Sequence, residues 1–494
     1  METKALSVGD PFKGDFHLGP VINERDLPAY PFLKGAKLTP GTAQRVQEAH
    51  SSIVDIGALI DSQPLSTFQK WIMVMIGCSV VMDGFDVQTM GFVAPAIVRA
   101  WGISPAELGP VFGAGLLGML AGSIVFGAMA DRAGRRPVLV GATVFYGLCM
   151  LGTALVQSVP EFLVIRFLTG FGIGGVMGNA IALVSEYSPQ KYRASLMTWV
   201  SCGFTGGAIA GGLLCATLLP SMGWRSVFLV GGILPLVIAV AMARYLPESL
   251  QLLVVKQRSP ERIAQWLGRI APNVQIGPGT RFAVHGQTHA KASVGELFRH
   301  GRGTTTLLLW GINFANLLDL FFLSNWLPML SLRVGHGVST AVLIGTSLQI
   351  GGTAGALLMG PLMDRFGFYR VLALSFLVAT FAVASVGLPD LSTGLRYAVV
   401  LISGICIVGG QPAVNALTAT RYPTSLWATG VGWSLGIGRA GSIIGPVVAG
   451  QLIKLQWSNT ALFVAAAVPA LASCLMLLFL SQVSGSNRTD CVEC

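Results

Sequence analysis

The sequence predicts an all-α membrane protein, with twelve transmembrane helices in two six-helix bundles related by a parallel repeat. Three observations predict this. First, 53% of the 494 residues are hydrophobic and only 11% are charged, whereas soluble domains carry about 25% charge. The mean hydropathy is +0.67. Second, the chain holds twelve apolar runs long enough to span a bilayer. Third, the second half repeats motifs of the first at near-constant spacing. The composition excludes a disordered chain, a soluble enzyme and a nucleic-acid binder, and the 62 glycines suit close helix packing in lipid.

Residues 1–68 read as a polar cytoplasmic tail with Pro28, Pro31 and Pro40. Ile53, Ile56 and Ile60 recur at helical spacing, which predicts an amphipathic helix over 43–61 on the inner membrane surface. The N-terminal bundle, 69–248, has its spans at 69–97, 107–130, 137–157, 160–184, 196–219 and 226–246. Residues 249–302 form a cytoplasmic central loop, the longest segment between spans. The C-terminal bundle, 303–482, has its spans at 303–330, 339–362, 369–388, 395–418, 426–452 and 459–482, and 483–494 is a cytoplasmic tail. These runs are too long and continuous for barrel strands, and lipid admits only helices or closed barrels.

Orientation follows from charge. With both termini cytoplasmic, 25 of the 32 Lys and Arg face the cytoplasm and five face outside: Arg99, Arg225, Arg333, Arg396 and Lys454. The remaining two, Arg166 and Arg439, lie within spans. This is a strong positive-inside bias, and it accounts for the net charge of +10 as a topology signal that also suits anionic lipid. No long apolar run precedes residue 69, so no cleaved signal peptide is expected. An inner-membrane, multi-pass location is.

The repeat is explicit. Asp131-Arg132-Ala133-Gly134-Arg135-Arg136-Pro137 returns as Asp364-Arg365-Phe366-Gly367-Phe368-Tyr369-Arg370, an offset of 364 − 131 = 233. Gly174-Gly175 with Asn179 returns as Gly409-Gly410 with Asn415. Two parallel halves of this kind place a binding site at the midplane between them. Cys78, Cys149, Cys202, Cys215, Cys406 and Cys474 sit in apolar runs and read as small hydrophobes. Cys491 and Cys494 end the chain in the outline of a prenylation signal, but Glu493 occupies an aliphatic position.

Five charges lie inside spans: Asp83, Asp86, Arg166, Asp319 and Arg439. Each is costly there and is a functional candidate by default. Asp83 and Asp86 share a helix face. At about 1.5 Å per residue, all five fall at one level, roughly 20 Å from the inner boundary. Three acids and two arginines sum to −1. One proton makes the set neutral, and a second leaves it ready for a monocarboxylate, which suits the planar Arg fork. Gln88, Asn313, Asn316, Gln411 and Asn415 are weaker candidates for hydrogen-bonding a substrate. Phe85, Phe314, Phe322, Trp326 and Trp433 are weaker candidates for stacking on a ring. His336 falls in an outer loop. No zinc spacing, phosphate loop or nucleophile elbow is present, so no metal, no cofactor and no enzyme activity are expected.

Gly127-Ala128-Met129-Ala130-Asp131-Arg132-Ala133-Gly134-Arg135-Arg136, with its weaker copy at Gly360–Arg370, resembles the signature loop of the major facilitator superfamily, over about residues 69–482. Gly134 permits a tight turn. Asp131 can sit against a helix N-terminus of the opposite half, and Arg132 or Arg135 can reach Glu186. The expected inner gate is Gly127, Asp131, Arg132, Gly134, Arg135 and Glu186, with Asp364 and Arg365 in the second half. Met82-Asp83-Gly84-Phe85-Asp86-Val87-Gln88 resembles the first-helix signature of the aromatic acid:proton symporter family. Agreeing segments are Arg166–Gly175, Leu246-Pro247-Glu248-Ser249, Asn325-Trp326-Leu327-Pro328, Tyr422-Pro423-Thr424 and Gly436–Arg439. Gly178, where the family pattern has proline, and Asp319, an extra acid, depart from it.

The resemblance implies a secondary transporter that imports a small aromatic carboxylate, such as a hydroxybenzoate, with protons by alternating access. The proton gradient drives it, no cofactor is needed, lipid surrounds it, and a monomer is expected. Alternatives are a facilitator porter for another organic anion or a sugar, a proton-antiport exporter, and a transport-inactive ligand sensor.

Overall fold

The structure is a computed structural model and describes residues 53–256, 259–272, 280–283, 293–423 and 426–489. The first half holds α1 (Thr67–Trp101), α2 (Pro105–Ala133), α3 (Arg135–Thr153), α4 (Val159–Tyr187), α5 (Gln190–Met222) and α6 (Trp224–Tyr245). The second holds α7 (Gly303–Arg333), α8 (Val338–Phe366), α9 (Phe368–Val386), α10 (Thr393–Arg421), α11 (Trp427–Lys454) and α12 (Asn459–Thr489). All but α11 are both long and apolar enough to cross a membrane on composition alone. Repeated glycines and Arg439 dilute the hydropathy of α11, yet its 28 residues pack along α7 and α2. Most helices overrun the apolar runs by a turn or less, because the backbone keeps its hydrogen bonds through the polar interface.

Caps set several ends. Ser66 and Gln69 form a capping box at the start of α1. Gly134 and Gly367 take φ of +116° and +85° between α2 and α3 and between α8 and α9, so the same left-handed turn recurs in both halves. A Cβ on Gly134 would also strike the Glu248 carboxylate. Gly174-Gly175 and Gly409-Gly410 mark a second shared feature. The α-helix of α4 is interrupted at Gly175, and α10 passes through a π-helical turn at Gly404–Val408.

Within each half, small residues bring backbones together. A Cβ on Gly118 would enter the Phe167 carbonyl of α4, and one on Gly351 would enter the Leu401 carbonyl of α10. Between the halves, α1 meets α7, α2 meets α11 and α5 meets α8. The close contacts sit toward one end of the bundle. There Gly109 meets Gly450, Gly91 meets Ser324, Phe112 packs edge-to-face on Trp326, and Ser339 donates to the Ala216 carbonyl at 2.9 Å. At the other end Asp131, Arg132, Asp364 and Arg365 are exposed. The molecule is shut at one end and open at the other.

The tail and the central loop correct the sequence reading. Ile53–Asp55 is a short strand, β1, paired in parallel with β2, Arg281–Ala283. Among the described residues of this segment the helix is Ile56–Ser62, capped by Asp55. Ile56 and Ile60 are buried against the first half, so they pack on protein and not on lipid. Residues 43–52, Pro28, Pro31, Pro40, Thr424, Cys491 and Cys494 lie outside the described residues. In the central loop the helix Pro260–Ile270 buries Ile263, Leu267 and Ile270, and Arg269 lies over the Phe68 ring at 5.5 Å. The tail after 483 begins as a continuation of α12.

Gly109→Cys combined with Gly450→Cys should cross-link on mild oxidation and stop transport, while either single variant should not. Free turnover by the cross-linked protein would contradict a closure that has to open at this end.

Candidate functional site

Asp86 and Arg166 form a bidentate ion pair, with Nη1 to Oδ1 at 3.1 Å and Nη2 to Oδ2 at 3.2 Å. Both are buried. Helix α1 supplies the acid and α4 the arginine, and the guanidinium also approaches the Met150 sulfur at 3.7 Å and the Phe228 ring at 5.9 Å. The fork is filled as Arg–carboxylate geometry favours. Asp86 and Arg166 line a narrow cleft with Met90, Phe112, Met119 and, from the second half, Phe321 and Asn325.

Asp83, one turn earlier on α1, is fully buried, and neither carboxylate oxygen has a hydrogen-bond partner. Its electrostatic neighbours are Arg439 and Asp86. Tyr146 of α3 feels both acids, and its buried hydroxyl also lacks a partner. Arg439, on α11 of the opposite half, donates to the Met119 sulfur at 3.1 Å, a weak acceptor. Among the described residues it makes no ion pair within contact distance.

Four of the five charges read from the sequence therefore come together, and the fifth does not. Asp319 is buried on the stripe of α7 that faces α12, where its carboxylate feels the Ala470 backbone N–H and, among the described residues, no charged neighbour. Depth alone placed it with the others; its helix face separates it. Tyr146, Met119 and Phe321 were not singled out, because a tyrosine, methionine or phenylalanine in an apolar run reads as packing.

The aromatic candidates mostly pack. Phe85 fills the space over Gly211 and Gly231, the Phe314 backbone lies against Gly441, and Phe322 meets Phe463 of α12. Trp326 donates to the Pro446 carbonyl at 3.0 Å, and Trp433 stacks on Trp310. Gln88 donates to Ser324 across the halves at 3.3 Å. Asn313, Asn316, Gln411 and Asn415 form one hydrogen-bonded amide group between α7 and α10. His336 is half-buried; burial and the nearby Arg396 hold its imidazole below the usual histidine range.

At the open end, Arg135 pairs with buried Glu186, which also accepts from Ser249 Oγ at 2.6 Å. Glu248 accepts from the Arg136 and Ser249 amides, the Tyr187 hydroxyl donates to the Glu248 carbonyl at 2.6 Å, and Lys256 reaches the Arg132 carbonyl. Every member belongs to the first half or the start of the central loop. The Arg135–Glu186 pair therefore braces that half and does not itself hold the two halves together. Asp131, Arg132, Asp364 and Arg365 stand exposed, with Arg365 over the Phe366 ring, and Gly127 faces open space. Asp61 extends the brace, accepting from the Gln190 amide at the start of α5 at 2.6 Å and lying 3.6 Å from Arg193.

The sequence profile of the Major Facilitator Superfamily matches residues 76–312 and 309–490. The chain is 41% identical to the 4-hydroxybenzoate transporter PcaK of Pseudomonas aeruginosa, over 88% of this chain and 97% of that one. It is 37% identical to the gallate transporter of Pseudomonas putida, over 86% and 94%. It is 32% identical to the 3-(3-hydroxy-phenyl)propionate transporter of Escherichia coli, over 87% and 98%. In fold it resembles the partially occluded inward open xylose transporter XylE of E. coli, with a TM-score of 0.66, 16% identity, and coverage of 84% of this chain and 98% of that one.

The brace gives an asymmetric expectation. Arg135→Gln strands the buried Glu186 carboxylate and should destabilise the protein by about 3 kcal/mol. Glu186→Gln leaves a half-exposed arginine that water can solvate, so it should cost clearly less. Thermal unfolding of the two variants in detergent checks this, and equal losses would contradict it.

Proposed function

The chain belongs to the major facilitator superfamily and to its aromatic acid transporter branch, and from that premise we propose that it imports a hydroxybenzoate-like monocarboxylate together with protons. It acts as a transporter and not as an enzyme, needs no cofactor, and draws on the proton gradient. The reading places it as a monomer in the inner membrane with both termini cytoplasmic, on the 25-to-5 distribution of Lys and Arg. In that orientation the open end faces the cytoplasm.

One observation carries the mechanism. Of the two arginines in the site, Arg166 is already saturated by Asp86, whereas among the described residues the fork of Arg439 donates to a thioether alone. Arg439 is therefore the group that takes the substrate carboxylate. The ring lies in the cleft between Phe112, Met119 and Phe321. Asp83 is the acid that takes up and gives back a proton without breaking an ion pair, and the buried Tyr146 hydroxyl, which feels its charge, likewise has no hydrogen-bond partner. Asp83 belongs to one half and Arg439 to the other. A proton on Asp83 removes the attraction of that acid for Arg439 and frees the guanidinium for substrate, so the two loads bind together. The halves then rock about the loaded site. Asp131, Arg132 and Gly127 on α2, with Asp364 and Arg365 on α8, meet partners only when the inner end shuts.

The function is tested by uptake into proteoliposomes under an imposed pH gradient. The panel is benzoate, 4-hydroxybenzoate, gallate, a non-aromatic carboxylate of similar size and xylose. Aromatic acids alone should accumulate. Accumulation of xylose, or binding of aromatic acids without accumulation, would overturn the reading.

Two variants separate the loads. Arg439→Lys keeps the charge but loses the fork, and should weaken substrate binding by about 1–3 kcal/mol. Asp83→Asn should keep binding, and exchange of labelled for unlabelled substrate, but lose accumulation against a gradient. Uphill accumulation at the wild-type level by well-expressed Asp83→Asn would remove this residue from the proton path.

A further inference from the structure

A second buried acid is left over. Asp319 is 1% exposed; neither oxygen meets full hydrogen-bond geometry, and the one donor its carboxylate feels among the described residues is the Ala470 backbone N–H of α12. It faces α12 along a stripe on which Gly311 meets Met476 and Phe322 meets Phe463. Two more unpartnered polar atoms stand next to it: Asn316 Oδ1, one turn away on α7, and Ser473 Oγ, one turn beyond Ala470 on α12. Pro469 carries no N–H, so the Ala465 carbonyl of α12 loses its helical donor as well.

The charged groups on neighbouring helices do not serve this acid. Asp83 on α1 is coupled to Asp86 and to Arg439 on α11, and Asp86 is paired with Arg166. Along its packed length α12 offers only Cys474, α10 has Arg421 at its inner end, and α8 has Asp364 and Arg365 at its own. A carboxylate in such a place is costly, and a bound proton removes the cost while filling one of the empty acceptors.

The seam is also connected. Asn316 donates to Gln411, and Gln411 donates to Asn415 at 3.3 Å and to Asn313 at 3.1 Å. Gln411 and Asn415 are partly exposed, whereas Asn316 is fully buried. The hydrogen-bonded path thus begins at Asn316, one turn from Asp319 on α7, and runs to the partly exposed Gln411 and Asn415.

We propose that Asp319 is a second proton-binding site, separate from the substrate cleft, which exchanges its proton with water from the open end through the polar seam lined by Asn316, Gln411 and Asn415. The inference rests on the proton-coupled reading above. With Asp83 carrying one proton and Asp319 another, a monocarboxylate enters with two protons, and each cycle moves one net positive charge inward.

The test uses the full-length protein in proteoliposomes with 4-hydroxybenzoate, at fixed pH gradient and variable potassium diffusion potential. Wild-type accumulation should rise about tenfold for each ~60 mV of inside-negative potential. Asp319→Asn should still accumulate on the pH gradient but lose the potential dependence, and Asp319→Glu should restore it. Wild-type uptake that ignores the potential, or full potential dependence in Asp319→Asn, would overturn the proposal. No uptake of any aromatic acid by the wild type would instead defeat the functional reading on which it rests. Dicyclohexylcarbodiimide, which adds to protonated carboxyls in apolar surroundings, gives a second measurement on the wild type alone. The Asp319 peptide should carry the acylurea adduct near neutral pH and lose it as pH rises, and an unlabelled Asp319 at every pH would overturn the proposal.

Discussion

The bidentate pair of Asp86 with Arg166 is the constraint on which the site depends. It joins α1 to α4 inside the first half and neutralises one acid and one arginine at the middle of the membrane. What remains is Asp83 in the same half and Arg439 in the other. An isolated acid and an isolated arginine, one on each side of the seam, make the energy of the site depend on how the halves sit and on what each group holds. On the proposed function, both states of the cycle then need a load: a proton for one group, a carboxylate for the other. A ligand shifts such an equilibrium only by its difference in affinity between the states, and a charge shared across the seam supplies that difference.

The rest of the structure keeps this seam free to move. Backbone contacts through glycine bind α2 to α4 and α8 to α10, all within one half or the other. At the open end, the Arg135–Glu186 pair, Ser249, Glu248 and Tyr187 tie the first part of the central loop to the first half. Asp61 adds the tail helix to the same body through α5. These contacts stiffen one half without spanning the gap. Apart from the Arg439–Met119 hydrogen bond in the site, the contacts described as spanning it gather toward the shut end and consist of glycine approaches, one aromatic edge and neutral hydrogen bonds. Each is small enough to be exchanged for its counterpart at the other end.

Much of this was legible in the sequence, for physical reasons. Spans declare themselves because lipid demands long apolar helices, and the repeat declares itself because both halves turn on the same left-handed glycine, at Gly134 and Gly367. The buried charges declare themselves because they are rare. What the sequence did not carry is the azimuth of each helix. Depth put Asp319 level with the other charges, but its face turns it to α12. Arg135 and Glu186 were correctly seen as within reach, yet reach does not say that both belong to one rigid body. Ile53, Ile56 and Ile60 keep helical spacing, but β2 recruits Ile53 into a strand, and a local pattern cannot report a partner more than two hundred residues away. Tyr146 was invisible because its role comes from Asp83 and Asp86, on another helix.

The central claim is that Arg439 holds the substrate carboxylate while the Asp86–Arg166 pair stays closed. An experimental structure with 4-hydroxybenzoate bound, solved at a resolution that places the carboxylate, tests it most directly. The carboxylate should lie on the Arg439 fork and the ring between Phe112, Met119 and Phe321, with Asp86 still paired with Arg166. A carboxylate on Arg166, with Asp86 displaced from it, would contradict the account.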